Sequence, residues 1–255
     1  MRKPFVIAAS FLAVVSCANS FDLNKGIDAL DAQIKAICED SSLTQTQADA
    51  AATELYLNTV KKHKKDSLGL YAMKYLMIYG QMPLDELKEL KNSTGDVIKE
   101  NQTIAKYMGI LEEGQDSAPG NKFKDISGPD ALDGSTNSIA AALALGKPVI
   151  VDFWASWCGP CRRAIQNELI PIAAEHPVDI TILGIAVWEN GLEDTQKAME
   201  DLGISWPVIY TGGRDDSPSA KYGILSIPRY VGISPDGTIV AKSLDPSVVL
   251  AALGF

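Results

Sequence analysis

Histidine is nearly absent from this chain: His63 and His176 are the only two, and they lie in different regions. A zinc site built on imidazole and a Cys/His protease dyad therefore lack their parts. Basic charge is also short, 23 Lys and Arg against 32 Asp and Glu for a net charge of −9. Neutralising phosphates needs a basic footprint, so no nucleic acid partner is expected. Gly-rich phosphate loops, internal repeats and low-complexity tracts are missing. No metal site and no bound cofactor is expected. What is there is a foldable composition, 46% apolar and 22% charged over 255 residues, enough for two ordinary domains.

The first residues speak to compartment. Arg2 and Lys3 precede the apolar run Phe5 to Val15, broken only by Ser10. The run is too short to span a bilayer and matches the apolar core of a secretory signal. It ends Val14-Val15-Ser16-Cys17, which resembles the lipobox of bacterial lipoproteins, where the signal is cut before the Cys and that Cys is acylated. The alternative is an ordinary signal cut nearby, with Cys17 incidental. The expectation is a signal peptide over 1–16, lipidation at Cys17, and a protein anchored to the membrane in the bacterial cell envelope, facing the periplasm. Several acyl chains on one Cys hold stably where a single short one does not.

From Ile27 to Gly114 apolar residues recur at helical spacing, which predicts an all-helical N-terminal domain over 17–114 with four or five helices. Leu30, Ile34, Ile37 and Cys38 form one stripe, so Cys38 is expected to be a buried, inert thiol. Ser67 precedes a helix ended by Gly80, Pro83 suits a first turn, and the last helix is expected over Thr94 to Glu113. Lys61-Lys62-His63-Lys64-Lys65 closes the second helix, where positive charge suits the dipole better than it marks an anion site. Gly114 to Gly120 gathers breakers and marks a boundary.

After it, strand-like and helical runs alternate through 115–255. Strands are expected over Lys122 to Ser127, Pro148 to Trp154, Val178 to Val187, near Val208, Arg229 to Ser234 and Thr238 to Lys242. Helices are expected over Ser138 to Leu145, after Gly159, over Leu192 to Leu202 and from Pro246. Alternation implies an α/β layer around a partly parallel sheet, and Pro235-Asp236-Gly237 turns the last strand pair into a hairpin.

The strongest signal is Trp157-Cys158-Gly159-Pro160-Cys161, which directly follows an apolar strand and opens a helix. Exposed N–H groups and the dipole at a helix start favour an anion, so a thiolate at Cys158 is placed to attack. Cys161 follows one turn later, close enough to displace a mixed disulfide. Pro160 falls in the first turn, where its missing N–H costs little. Asp152 stands in an apolar strand, where burial raises a carboxyl's pKa and suits it to base work, unless it is a structural strand-end carboxylate.

The segment Val151-Asp152-Phe153-Trp154-Ala155-Ser156-Trp157-Cys158-Gly159-Pro160-Cys161-Arg162 resembles the thioredoxin superfamily, specifically its membrane-tethered bacterial members of the TlpA/ResA type. Ile227-Pro228 stands where that family has its cis-proline, and Gly232 to Thr238 resembles its closing hairpin. The resemblance implies a thioredoxin-like domain over 115–255, with a central mixed sheet flanked by helices. It also implies Cys158 as nucleophile, Cys161 as resolving thiol, Asp152 as the buried acid beneath it, and a substrate groove formed by Trp157, Gly159, Pro160, Ile227 and Pro228. Gln166 replaces a proline many relatives carry, so the helix kink is expected to be displaced or absent. Arg229 is expected to add positive charge near the groove. Glu189 either tunes the thiols or sits in a solvated turn.

The resemblance further implies a thiol-disulfide oxidoreductase whose only redox group is the Cys158–Cys161 disulfide. Its partners would be disulfide-containing client proteins, apocytochrome c among them as in cytochrome c biogenesis, and a membrane thiol-electron donor. A disulfide isomerase or oxidase is one alternative. The other is a binding or scaffold lipoprotein whose helical domain recognises partners.

Overall fold

A computed structural model describes residues 22–80, 82–213 and 217–255; the expectations placed on 1–16 and Cys17 lie outside them. The N-terminal region is helical: α1 (Leu23–Cys38), α2 (Gln45–Lys62), α3 (Ser67–Tyr79), α4 (Leu84–Asn92), α5 (Asp96–Lys99) and α6 (Gln102–Glu113). Side chains set the starts. Thr44 and Gln47 form a reciprocal capping box on α2, and Asp66 accepts the Leu68 and Gly69 amides on α3. Asn101 accepts the Thr103 and Ile104 amides on α6, which corrects the single helix expected over Thr94 to Glu113. Ile98 and Ile104 are both fully buried. On one continuous helix their spacing would point them to different sides, so the chain turns at Asn101 and restarts.

The helices close over Val60, Ala72, Met73, Leu76 and Ile98, among others. Cys38 is a second correction, because it is exposed. Of α1 only Leu30 is buried. The stripe marks which side of α1 faces protein, and the final turn lacks the neighbours that cover Leu30.

A 3-10 turn, Gly114–Ser117, leads out of α6. β1 (Ser127–Pro129) and β2 (Thr136–Ser138) pair as a small antiparallel hairpin ahead of α7 (Ile139–Leu143). The strand expected over Lys122 to Ser127 is corrected. This segment instead runs beside the last hairpin, where Lys122 bridges Thr238 and the Phe123 amide donates to the Gly237 carbonyl.

The main sheet holds β3 (Val149–Trp154), β4 (Thr181–Ala186), β5 (Val208–Tyr210), β6 (Arg229–Ile233) and β7 (Ile239–Ser243) in the order β5-β4-β3-β6-β7. β3, β4 and β5 are parallel, and β6 runs antiparallel to both β3 and β7. α8 (Gly159–Ala164), α9 (Ile170–Glu175), α10 (Leu192–Leu202), α11 (Ser217–Ala220) and α12 (Pro246–Ala252) complete the domain. This is the mixed sheet flanked by helices of the thioredoxin-like fold, preceded by a helical region.

All six residues of β3 are buried, because helices cover both faces. Ile150 and Trp154 join one core with Leu169, Met199 and Tyr230, while Val149, Val151 and Phe153 join the other with Ile139 and Tyr222. Strand alternation therefore places Asp152 on the Ile150 and Trp154 side, the side that holds Cys158 and Cys161. A π turn, Ile165–Leu169, joins α8 to α9, and Pro171 falls in the first turn of α9. Proline cannot donate to the helical ladder, and the wider turn before it absorbs the missing bond. The irregularity thus sits at this turn.

Candidate active site

Cys158 is the N-cap of α8, with Gly159 and Pro160 in the first two helical positions. Its Sγ accepts the Cys161 amide at 3.2 Å, and the two sulfurs form a disulfide with Cα atoms 5.3 Å apart. Cys161 is fully enclosed, while Cys158 keeps 4% of its surface open. That asymmetry leaves Cys158 as the sulfur a partner can reach.

The opposite wall comes from the segment entering β6. The Ile227–Pro228 peptide is cis, and the Ile227 carbonyl lies 3.9 Å from Cys158 Sγ. Trp157 is half-exposed beside the disulfide, and its Nε1–H donates to the Trp188 carbonyl at 2.9 Å. The structure thus brings Trp157, Cys158, Gly159, Pro160, Cys161, Ile227 and Pro228 to one place. Asp152 lies on the buried side. Neither of its carboxyl oxygens has a hydrogen-bond partner among the described residues, and burial alone pushes its pKa up to about 8. Tyr230 pairs with it across the β3–β6 ladder.

Glu189 is not in a solvated turn. It is 1% exposed, its Oε1 accepts the Ser156 amide at 2.7 Å and its Oε2 accepts the Ser156 hydroxyl at 2.6 Å. Burial raises its pKa, and the bonds from Ser156 work against that rise. Arg162 donates to the Ser156 carbonyl, so the residue before Trp157 is held through every polar group it has. The turn is reached with Trp188 at φ +56°, unusual for a side chain of that size. A Glu just past an apolar strand was the only local signal, and its partner lies 33 residues away.

Arg229 also departs from expectation. Its guanidinium turns into the seam with the helical region, where it donates to the Ile78 carbonyl at 3.2 Å and to Ser226 Oγ at 3.4 Å. Among the described residues, no group of three or more His, Cys, Asp and Glu is placed to hold a metal.

The Redoxin family model matches residues 118–250, more than half of the chain. The chain belongs to the Redoxin family. It is 33% identical over 96 residues to the thiol-disulfide oxidoreductase ResA of Geobacillus thermodenitrificans, a match covering 37% of this chain and 52% of that protein. It is 38% identical over 68 residues to a thioredoxin of Alicyclobacillus acidocaldarius, covering 27% of this chain and 62% of that protein. The thioredoxin domain of a thiol-disulfide oxidoreductase from Bacteroides vulgatus is 30% identical, with a TM-score of 0.45, covering 53% of this chain and 98% of that domain. The chain spans about half the length of the ResA relatives it matches. This Redoxin chain places its cysteine pair at the strand-to-helix turn, and its helical region lies before the matched segment.

Proposed function

We propose that this protein is an extracytoplasmic thiol-disulfide oxidoreductase that reduces disulfides in client proteins through Cys158 and Cys161. The observation that carries the reading is Cys158 Sγ at a helix start, beside the Ile227 carbonyl, with Cys161 and Asp152 on the buried side. The reduced Cys158 thiolate attacks one sulfur of a client disulfide. A mixed disulfide forms, and the client's other sulfur leaves as a thiolate. Cys161 passes its proton to the Asp152 carboxylate and attacks Cys158 Sγ. The Cys158–Cys161 bond re-forms, and the client departs with both sulfurs reduced.

Two electrons move from the pair to the client, and a membrane thiol-electron donor returns them. Trp157 and the edge at Ile227 and Pro228 form the groove along which a client strand pairs with exposed backbone. Arg2, Lys3, the apolar run after them and Cys17 support the signal peptide, the lipid anchor and the periplasm-facing placement. Among the described residues no helix is long and apolar enough to cross a membrane. Apocytochrome c is the client class the family resemblance favours.

The reduction potential of the pair, read by tryptophan fluorescence in graded thiol buffers, tests the reading. A value near or below thioredoxin's roughly −270 mV supports a reductase, whereas one of about −120 to −180 mV makes the protein an oxidase or isomerase. Cys158→Ser should abolish turnover, and Cys161→Ser should accumulate mixed disulfides with clients. Turnover that persists without Cys158 overturns the proposal.

A further inference from the structure

Four contacts from the helical region and the turn that leads out of it land on one short stretch, residues 221–229, which leads into and just past Pro228. Ser117 Oγ–H donates to the Lys221 carbonyl at 2.7 Å. Gly114 packs so closely on Gly223 that a Cβ there would stand 2.1 Å from the Gly223 nitrogen. Leu225 packs against the core of the helical region. The fourth contact is Arg229 on the Ile78 carbonyl. Between the last two, Ile227 packs into both cores of the sheet domain, with its carbonyl 3.9 Å from Cys158 Sγ.

The Arg229 bond has a specific physical reason. Ile78 lies in the last turn of α3, where carbonyls have no partner within the helix. A guanidinium there satisfies one such acceptor and meets the negative end of the helix dipole. Asp49 and Tyr79 face the same guanidinium, and Lys242 is the neighbouring cation. Arg229 therefore caps α3 from another domain, one residue past Pro228.

We propose that Arg229 is a positioning residue and that the helical region, through it, holds the edge on which clients dock. The helical region then acts as the rear support of the thiol site. This rests on the reading of that site as one that takes extended disulfide-bearing chains. A small disulfide reaches Cys158 without the edge, while a long client needs it.

The test uses the full chain with Arg229→Met and Arg229→Lys. Amide exchange is followed over 221–228 and 149–154, and turnover is measured with a disulfide-bonded extended peptide and with oxidised glutathione. In Arg229→Met, exchange over 221–228 should quicken about tenfold while 149–154 holds, which is what loss of one charge-assisted bond gives. The KM for the peptide should rise about tenfold, with kcat and the glutathione reaction far less affected, and Arg229→Lys should recover part of both changes. Unchanged exchange over 221–228 overturns the proposal, as does equal quickening across 149–154. So does a fall in kcat at constant KM. If the wild-type protein reduces no peptide disulfide, the proposed function falls, and the exchange comparison still decides whether the helical region holds the edge.

Discussion

The two regions of the molecule differ in what they bury. Among the described residues, the helical region encloses Leu, Ile, Met and Ala but no carboxylate, while the sheet domain encloses Asp130, Asp152 and Glu189. A buried charge is tolerated only where partners or protonation offset its lost hydration. The three carboxylates form a series in that respect. Asp130 accepts bonds from the Leu132 amide, the Asn137 side chain and the Val208 amide, tying the β1–β2 hairpin to β5. Glu189 takes the Ser156 amide and hydroxyl, and Thr195 lies against it as well. Asp152 has none. Partners offset the cost of burial for the first two, whereas at Asp152 that cost appears as a raised pKa.

Asp130→Ala should break that series most severely. It leaves three donors without an acceptor, two of them around a buried strand, and should lower stability by about 3 kcal/mol without altering the reduction potential. Urea unfolding beside a redox titration checks both halves, and a change in potential would undo the distinction.

Asp152→Asn should act in the opposite direction. Its folded pKa of about 8 stands above the unfolded value of 3.8, so the folded state binds a proton the unfolded state releases. Stability is then lost as pH rises through that window. The Asn variant avoids this loss. It should be more stable than wild type by up to about 5 kcal/mol at pH 8, and the gap should close towards pH 4. The resolving step should slow in the same variant and lose its rise with pH around 8, measured as decay of a mixed disulfide. An identical gap at both pH values would show that Asp152 is not buried as an acid.

Glu189→Gln should give the smallest effect. One acceptor survives and the Ser156 hydroxyl can rotate, so the cost should be about 1 kcal/mol. Trp157 fluorescence should shift with it, since Ser156 precedes that side chain. A silent spectrum would mean that Glu189 holds the turn without holding Trp157.

How much of this was legible in the sequence follows the same divide. The five main strands were readable because their apolar runs are continuous or end at strong turn residues, as at Gly237 with φ +83°. The cysteine motif was readable because its chemistry is local. The β1–β2 hairpin was not, because Ser127-Gly128-Pro129 and Thr136-Asn137-Ser138 have no strand-like composition and owe their pairing to Asp130 and its partners. Cys38 was misplaced because periodicity gives the direction of a side chain and not its depth. The restart at Asn101 carried only a polar cap, with no Gly or Pro to announce it. Glu189 and Arg229 escaped a local reading because their partners lie 33 and 151 residues away.

The seam also bears on the order in which the chain is assembled. The helices use neighbours close in sequence, the kind of contact that forms early, whereas Ser117 meets Lys221 across 104 residues and Ile78 meets Arg229 across 151. A chain made from its N-terminus exposes α3 long before Arg229 exists. The Ile78 carbonyl therefore stays solvated through most of synthesis, and the joint behind the cysteine pair is among the last parts of the molecule to close.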